Sequence, residues 1–117
     1  MDFSLSEEQR LTAGAGILAE MVTELEAARL LVYRALWLLL AGTRCELEAA
    51  VAKSFATEAA QRITSKAIQI HGAFGITKEF PVERYFRNAR LLTIPDGTTQ
   101  INQLIIGRKL TGIDAFF

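Results

Sequence analysis

The stretch Ile17–Gly42, "ILAEMVTELEAARLLVYRALWLLLAG", decides the fold. Its apolar residues Ile17, Met21, Leu25, Ala28, Val32, Leu36 and Leu39 recur in steps of three and four, which places them on one continuous face of an α-helix. Gly42 is a natural stop. Leu30, Leu31, Leu38 and Leu40 fall off that stripe and widen it. A helix that is apolar on most sides is buried on most sides, so the sequence predicts association, as a dimer or tetramer of this chain or with a separate partner.

Upstream, Ser4 with Glu7, or Ser6 with Gln9, forms a capping box able to open a helix. Gly14 and Gly16 weaken or break it early, at about 1 kcal/mol per interior glycine. The reading therefore divides the chain into an N-terminal segment, 1–16, and a helical bundle, 17–117. Downstream, Thr43 and Glu46 form a second capping box. A second stripe then runs Leu47, Val51, Phe55, Ala59, Ile63, Ala67, Ile70 and ends at Gly72, with His71 in the last turn.

Gly72 to Phe80, "GAFGITKEF", reads as a loop. Pro81 opens a short third helix, "PVERYFRNAR", that buries Val82, Tyr85, Phe86 and Ala89. Pro95 forbids its continuation. A fourth helix begins at Thr98 or Thr99, carries Ile101, Leu104, Ile105 and Leu110, and ends at Gly112. No stretch alternates as a strand would. The expected fold is all-α, a helical bundle of two long and two short helices.

Composition removes several function classes. Thirteen basic residues balance thirteen acidic ones, which leaves no basic footprint for nucleic acid. Cys45 is the single cysteine, so no intrachain disulfide forms, as suits a reducing compartment. The N-terminus has neither the basic nor the apolar region of a signal peptide. The most apolar run, "LLVYRALWLLLAG", is interrupted by Arg34 and falls short of the roughly 20 residues that span a bilayer. The expectation is a soluble, cytoplasmic protein without a membrane span. His71 is the only histidine and has no carboxylate at ligand spacing, so neither a metal site nor a histidine-based triad is expected. Lys78, Arg84, Arg87 and Arg90 alternate with Glu79 and Glu83, the pattern of a solvated, ion-paired face.

The linker "TIPDGTTQINQ", Thr93–Gln103, holds the one ambiguous carboxylate. Asp96, followed by Gly97 and two threonines ahead of an apolar-periodic run, carries a helix-start signal, and the residues alone favour a cap over a base.

The run Gln69–Gly112, "QIHGAFGITKEFPVERYFRNARLLTIPDGTTQINQLIIGRKLTG", resembles the C-terminal signature region of the acyl-CoA dehydrogenase family. Two upstream segments, "AEMVTELEAARLLVYRALWLL" and "AKSFATEAAQRITSKAIQIHG", resemble the two preceding helices of the same domain, so the likeness extends from Leu18 to about Gly112. It implies a helical bundle that makes subunit contacts in an FAD-dependent enzyme, one that forms a double bond between the α and β carbons of an acyl-CoA. On this resemblance Gln69, Gly72 and Ala73 approach the FAD diphosphate of a neighbouring subunit, Thr98 and Gln100 contact FAD beside the catalytic loop, and Gly97 admits the thioester. Asp96 stands where many members carry a glutamate base.

Two features depart from the family pattern. Aspartate is one methylene, about 1.5 Å, shorter than glutamate, and Pro95 replaces a frequent aromatic residue. The family's N-terminal helical domain, its β-barrel domain and the helix that opens the C-terminal bundle have no counterpart here, while "MDFSLSEEQRLT" resembles the family's N-terminal opening. A partner chain that supplies the missing domains follows as an expectation. The alternatives are a non-catalytic helical oligomerisation module and a helical binding protein without flavin.

Overall fold

A computed structural model describes residues 6–114 of the chain. Four α-helices and one 3₁₀ segment are present among them, and no strand: α1 (Glu7–Leu40), α2 (Glu46–His71), the 3₁₀ segment (Gly72–Ile76), α3 (Val82–Leu92) and α4 (Thr99–Thr111). None of these helices is long and apolar enough to cross a membrane.

α1 runs without a break through Gly14 and Gly16, contrary to the expected weak point. Two glycines forfeit about 2 kcal/mol, which the flanking alanines and a helix about 50 Å long absorb. Of the two proposed N-terminal capping boxes, the one on Ser4 lies outside the described residues, and α1 begins directly after Ser6. The Thr43–Glu46 box does not form. The Thr43 amide instead donates to the Leu38 carbonyl and the Gly42 amide to that of Leu39, each at 3.0 Å, with Gly42 at φ +71°. This 6→1 and 5→2 pairing closes α1. α2 begins at Glu46 itself, two residues later than that box requires, so Cys45 occupies its N-cap, without a side-chain bond.

α2 is the hub. α1, α3, α4 and the 3₁₀ segment all pack on it, while α1 touches neither α3 nor α4. Among the described residues the buried apolar set is Ala28, Ala50, Ala52, Ala59, Val82 and Ala89, so no apolar side chain larger than valine is fully enclosed. Alanine lets helices approach closely, and this choice redirects the seam of α1. The predicted stripe holds for Ile17, Met21 and Ala28, then shifts by one residue: Leu31, Ala35 and Leu38 turn towards α2, while Val32, Leu36 and Leu39 turn out. Leu31 and Leu38, which the pattern placed off the stripe, are on it. Glu20 and Glu24 of α1 meet Lys66 and Arg62 of α2 along one edge.

Two other expected cores are narrower than predicted. Tyr85 is 51% exposed, because α3 rests only on α2 and the 3₁₀ segment; Val82, Ala89 and half-buried Phe86 make that contact. In α4, Leu104 and Leu110 face solvent and the buried side chain is Asn102. The supposed loop at Gly72 is a 3₁₀ turn tucked against α2. Gly75 is buried there, and a Cβ on it would lie 2.5 Å from the Ile68 carbonyl oxygen, so only glycine fits. His71 does end α2, with Nδ1 2.7 Å from the Ala67 carbonyl oxygen and its ring against Phe80.

Candidate functional site

The linker between α3 and α4 is built around two consecutive left-handed residues, Asp96 at φ +54° and Gly97 at φ +94°. Glycine adopts that conformation freely, whereas aspartate carries a penalty of roughly 1–2 kcal/mol. The surroundings hold it there. Lys53, half-buried on α2, extends its ammonium to three consecutive carbonyls, those of Pro95, Asp96 (3.0 Å) and Gly97 (2.6 Å). From the other side, Asn102 Nδ2 donates to the carbonyls of Gly97 (3.1 Å) and Thr98 (3.0 Å). The backbone of the turn is thus fixed by one cation and one amide, and hydrogen bonds to a charged donor are worth about 1.5–3 kcal/mol.

Asp96 is not the N-cap of α4. That position belongs to Thr98, in extended geometry, whose hydroxyl accepts from the Ile101 amide at 3.3 Å. The start of α4 at Thr99 agrees with the sequence reading; the cap reading of Asp96 does not survive. The Asp96 carboxylate enters no hydrogen bond or ion pair with the described residues, is exposed, and opens on a cleft of about 420 Å³ that Lys53, Asn102, Ile105 and Arg108 also line. A left-handed, tightly braced aspartate with an uncommitted carboxylate is an arrangement in which strain points to function.

Thr98 and Gln100 line the opposite side of the α4 start. They border a polar cleft of about 290 Å³ with Glu58, Gln61, Arg90 and Thr99. Thr99 Oγ1 donates to Glu58 Oε1 at 2.7 Å, and its amide reaches the Thr93 carbonyl at 3.2 Å, so the first turn of α4 is tied to both α2 and α3. Thr93, the buried end of α3, is reached in turn by the Arg90 guanidinium. Gln100 stays exposed.

Gln69, Gly72 and Ala73 lie elsewhere. Eleven residues of α2, about 16 Å of rise, separate Gln69 from Glu58, which marks the Thr98–Gln100 cleft. The structure therefore brings Asp96, Gly97, Thr98 and Gln100 to one linker and leaves the Gln69–Ala73 group at the far end of α2. All three of the latter are exposed, and Gly72, at φ +60°, has open space where a Cβ would stand. Both groups present hydroxyl, amide or bare backbone to solvent, which is the donor set an extended phosphate-bearing cofactor takes. They cannot grip the same end of one such molecule from one chain.

Sequence reasoning missed Lys53, Glu58 and Asn102. Lys53 and Glu58 are the two charged residues of the run "AVAKSFATEAA", and Asn102 stands between Ile101 and Gln103 in "TQINQLII"; a polar residue that turns inward usually answers a buried polar partner.

The chain matches the acyl-CoA dehydrogenase C-terminal domain over residues 12–111. The chain belongs to the acyl-CoA dehydrogenase family. Among its relatives, it is 45% identical over 105 residues to an acyl-CoA dehydrogenase of Bacillus subtilis, covering 87% of this chain and 28% of that one. It is 45% identical over 96 residues to a subunit of a caffeyl-CoA reductase–Etf complex of Acetobacterium woodii, covering 82% of this chain and 25% of the other. The solved structure of PigA in complex with FAD superposes with a TM-score of 0.83 at 30% identity, over 94% of this chain and 28% of PigA. The chain thus spans about a quarter of the length of the relatives it matches. The all-α bundle expected from the stripes is the C-terminal helical domain of this family.

Proposed function

We propose that this chain supplies the base-bearing part of an FAD-dependent acyl-CoA dehydrogenase, with Asp96 as the base and a further chain completing the site. The observation that carries this reading is the Asp96–Gly97 turn. It projects an unpaired carboxylate from a backbone locked by Lys53 and Asn102, at the point of a family C-terminal domain where the resemblance places the base.

The α-hydrogen of an acyl thioester is weakly acidic. A carboxylate removes it when the charge developing on the thioester oxygen is stabilised, and proton transfer needs a heavy-atom approach of roughly 2.6–3.2 Å. The shorter aspartate asks the substrate to lie about 1.5 Å nearer the loop than a glutamate would. Gly97, which has no side chain, leaves room for that approach. FAD, when bound, accepts the hydride that leaves the β-carbon. Thr98 and Gln100 offer it a hydroxyl and an amide on one flank, while Gln69, Gly72 and Ala73 offer bare backbone to the diphosphate of a second subunit's cofactor. Support for FAD comes from the FAD-bound PigA neighbour, and support for partner chains from the relative that is a complex subunit.

The test is acyl-CoA oxidation by the flavin-loaded assembly. Asp96→Asn should lower the rate by about 10²–10⁴-fold, the worth of a positioned general base, while the visible flavin band keeps its height. Full rate in Asp96→Asn removes Asp96 from the role. A second reading, a helical module that assembles subunits without turning over substrate, is favoured by the bare outer face of α1. It predicts a chain that stays colourless when FAD is added.

A further inference from the structure

We propose that α2 sets the working distances of the linker through two positioning residues, Lys53 for the Asp96 carboxylate and Glu58 for the cofactor-facing Thr98 and Gln100. The proposal rests on Asp96 as the base and on Thr98 and Gln100 as flavin contacts, and adds the residues that place them.

Lys53 and Glu58 stand five residues apart on α2, about 7.5 Å of rise and about 140° of turn. They therefore meet the linker at two points and from two directions. The Lys53 ammonium takes the carbonyls of Pro95, Asp96 and Gly97. The Glu58 carboxylate accepts from Thr99 Oγ1 at 2.7 Å. The two clefts divide in the same way. Lys53 lines the one that Asp96 faces, and Glu58 lines the one bordered by Thr98 and Gln100. Both side chains are half-buried, so each grip is partly shielded from water.

An ammonium carries three N–H donors, and three carbonyls take those of Lys53. None is left for a thioester oxygen, so Lys53 acts through the backbone alone. What it fixes is the direction in which Asp96 leaves the chain, at φ +54°. Aspartate has one rotatable bond fewer than glutamate with which to correct a displaced backbone, and proton transfer is confined to a heavy-atom approach of roughly 2.6–3.2 Å. The shorter base depends on the clamp more than a longer one would. Glu58 holds a different coordinate. Thr99 opens α4, and its amide already donates to the Thr93 carbonyl at 3.2 Å. With its hydroxyl on Glu58, the first turn of α4 resists rotation, and Thr98 and Gln100, the neighbours of Thr99 on either side, keep to one cleft.

The experiment uses the flavin-loaded assembly and reads turnover and FAD binding separately. Lys53→Met should lower kcat about 10²-fold, the cost of misplacing a reacting group by about 1 Å, while KM and the FAD dissociation constant each move less than about threefold. Deuterium at the α-carbon of the acyl-CoA should then slow the variant more than it slows the parent, because proton removal has become limiting. Glu58→Ala should invert the pattern: FAD is held about tenfold more weakly, the worth of one hydrogen bond to it, and most of the kcat returns at saturating FAD. Glu58→Gln keeps an acceptor oxygen for Thr99 and should restore the affinity. If Lys53→Met does not fold, Lys53→Arg, which keeps the charge but spreads its donors over a planar fork, should show the same kcat loss to a lesser degree.

Asp96→Asn separates the outcomes. If it is slow while Lys53→Met runs at the parent rate, Asp96 stands as the base and the role of Lys53 falls. If Asp96→Asn itself runs at full rate, the base falls and the Lys53 arm falls with it. Parent-like FAD binding by Glu58→Ala, or an assembly that takes up no FAD, overturns the Glu58 arm. Equal losses of turnover and FAD affinity in both variants would make the two grips a single structural brace and overturn their division.

Discussion

The linker at Asp96 joins α3 and α4, neither of which α1 touches, and it and the outer face of α1 show two ways of leaving a protein surface unfinished. At the linker the backbone is over-determined: one ammonium on three carbonyls and one amide on two hold a left-handed aspartate whose carboxylate meets nothing. On α1 the backbone is an ordinary helix, and the side chains are unfinished: Trp37 is 68% exposed and Leu40 86%. The first arrangement is rigid and polar, suited to chemistry on something small. The second is apolar and extended, suited to another helix. The difference teaches that in this bundle the geometry of the linker is fixed from inside the chain, by Lys53 and Asn102, while the outer face of α1 finds no such internal partner among the described residues.

The largest break should come from the element both regions share. Ala59 is fully buried at the centre of α2, and Ala59→Leu adds three carbons where the surrounding helices leave no room. It should destabilise the fold by about 3 kcal/mol, seen as a lower denaturant midpoint with helix loss along the whole chain. A smaller change separates the two regions. Lys53→Met keeps the stem of the lysine and removes the ammonium that holds the turn. We expect a loss of about 2 kcal/mol and faster amide exchange confined to residues 95–99, while α1 exchanges as before. If exchange in α1 rises equally, the linker is not the separately braced unit described here.

The helices themselves were legible because periodicity is a property of the chain alone. The end of α1 at Gly42, the end of α2 at His71, the start of α4 at Thr99 and its end at Gly112 follow from local sequence. Which face each helix buries was less legible. The shift from Val32, Leu36 and Leu39 to Leu31, Ala35 and Leu38 depends on the alanines of α2, on the far side of the α1–α2 turn, and on the Glu20–Lys66 and Glu24–Arg62 pairs, whose partners are more than thirty residues apart in sequence. The Thr43 cap failed for a related reason: the turn that closes α1 through Gly42 and Thr43 sets where α2 can start, and it starts two residues later than the box requires. In the linker, the sequence alone favoured Asp96 as a cap, since Asp–Gly–Thr before an apolar run reads that way. Nothing local announces that Lys53, over forty residues earlier, takes the carbonyls, or that Asn102 rather than Ile101 turns inward.

The smallest expected effect sets the two regions against pH. Glu20 is held below the ordinary carboxyl value of 4.5 by the Lys66 ammonium that donates to it at 2.8 Å, and Lys66 is raised above 10.5 by the same contact. A depressed carboxyl contributes its stabilisation in full above the unfolded value and loses it as pH falls through the folded one, so this α1–α2 link weakens only below about pH 4.5. The raised lysine loses its share only as pH climbs past 10.5. Between those limits the link is constant. Glu20 is exposed and Lys66 only half-buried, so the change is slight. Lys53 and Asn102 grip the linker through backbone carbonyls, which bind no proton in the acid range, and only Thr99, at its end, leans on a carboxylate, that of Glu58. As pH is lowered through 4.5, amide exchange corrected for its intrinsic pH dependence should rise in α1 before it rises at residues 95–99, and Glu20→Gln should remove most of that difference. Equal loosening of both regions would mean that the acidic edge of α1 is not what holds that helix to α2, and that the alanine seam carries the contact by itself.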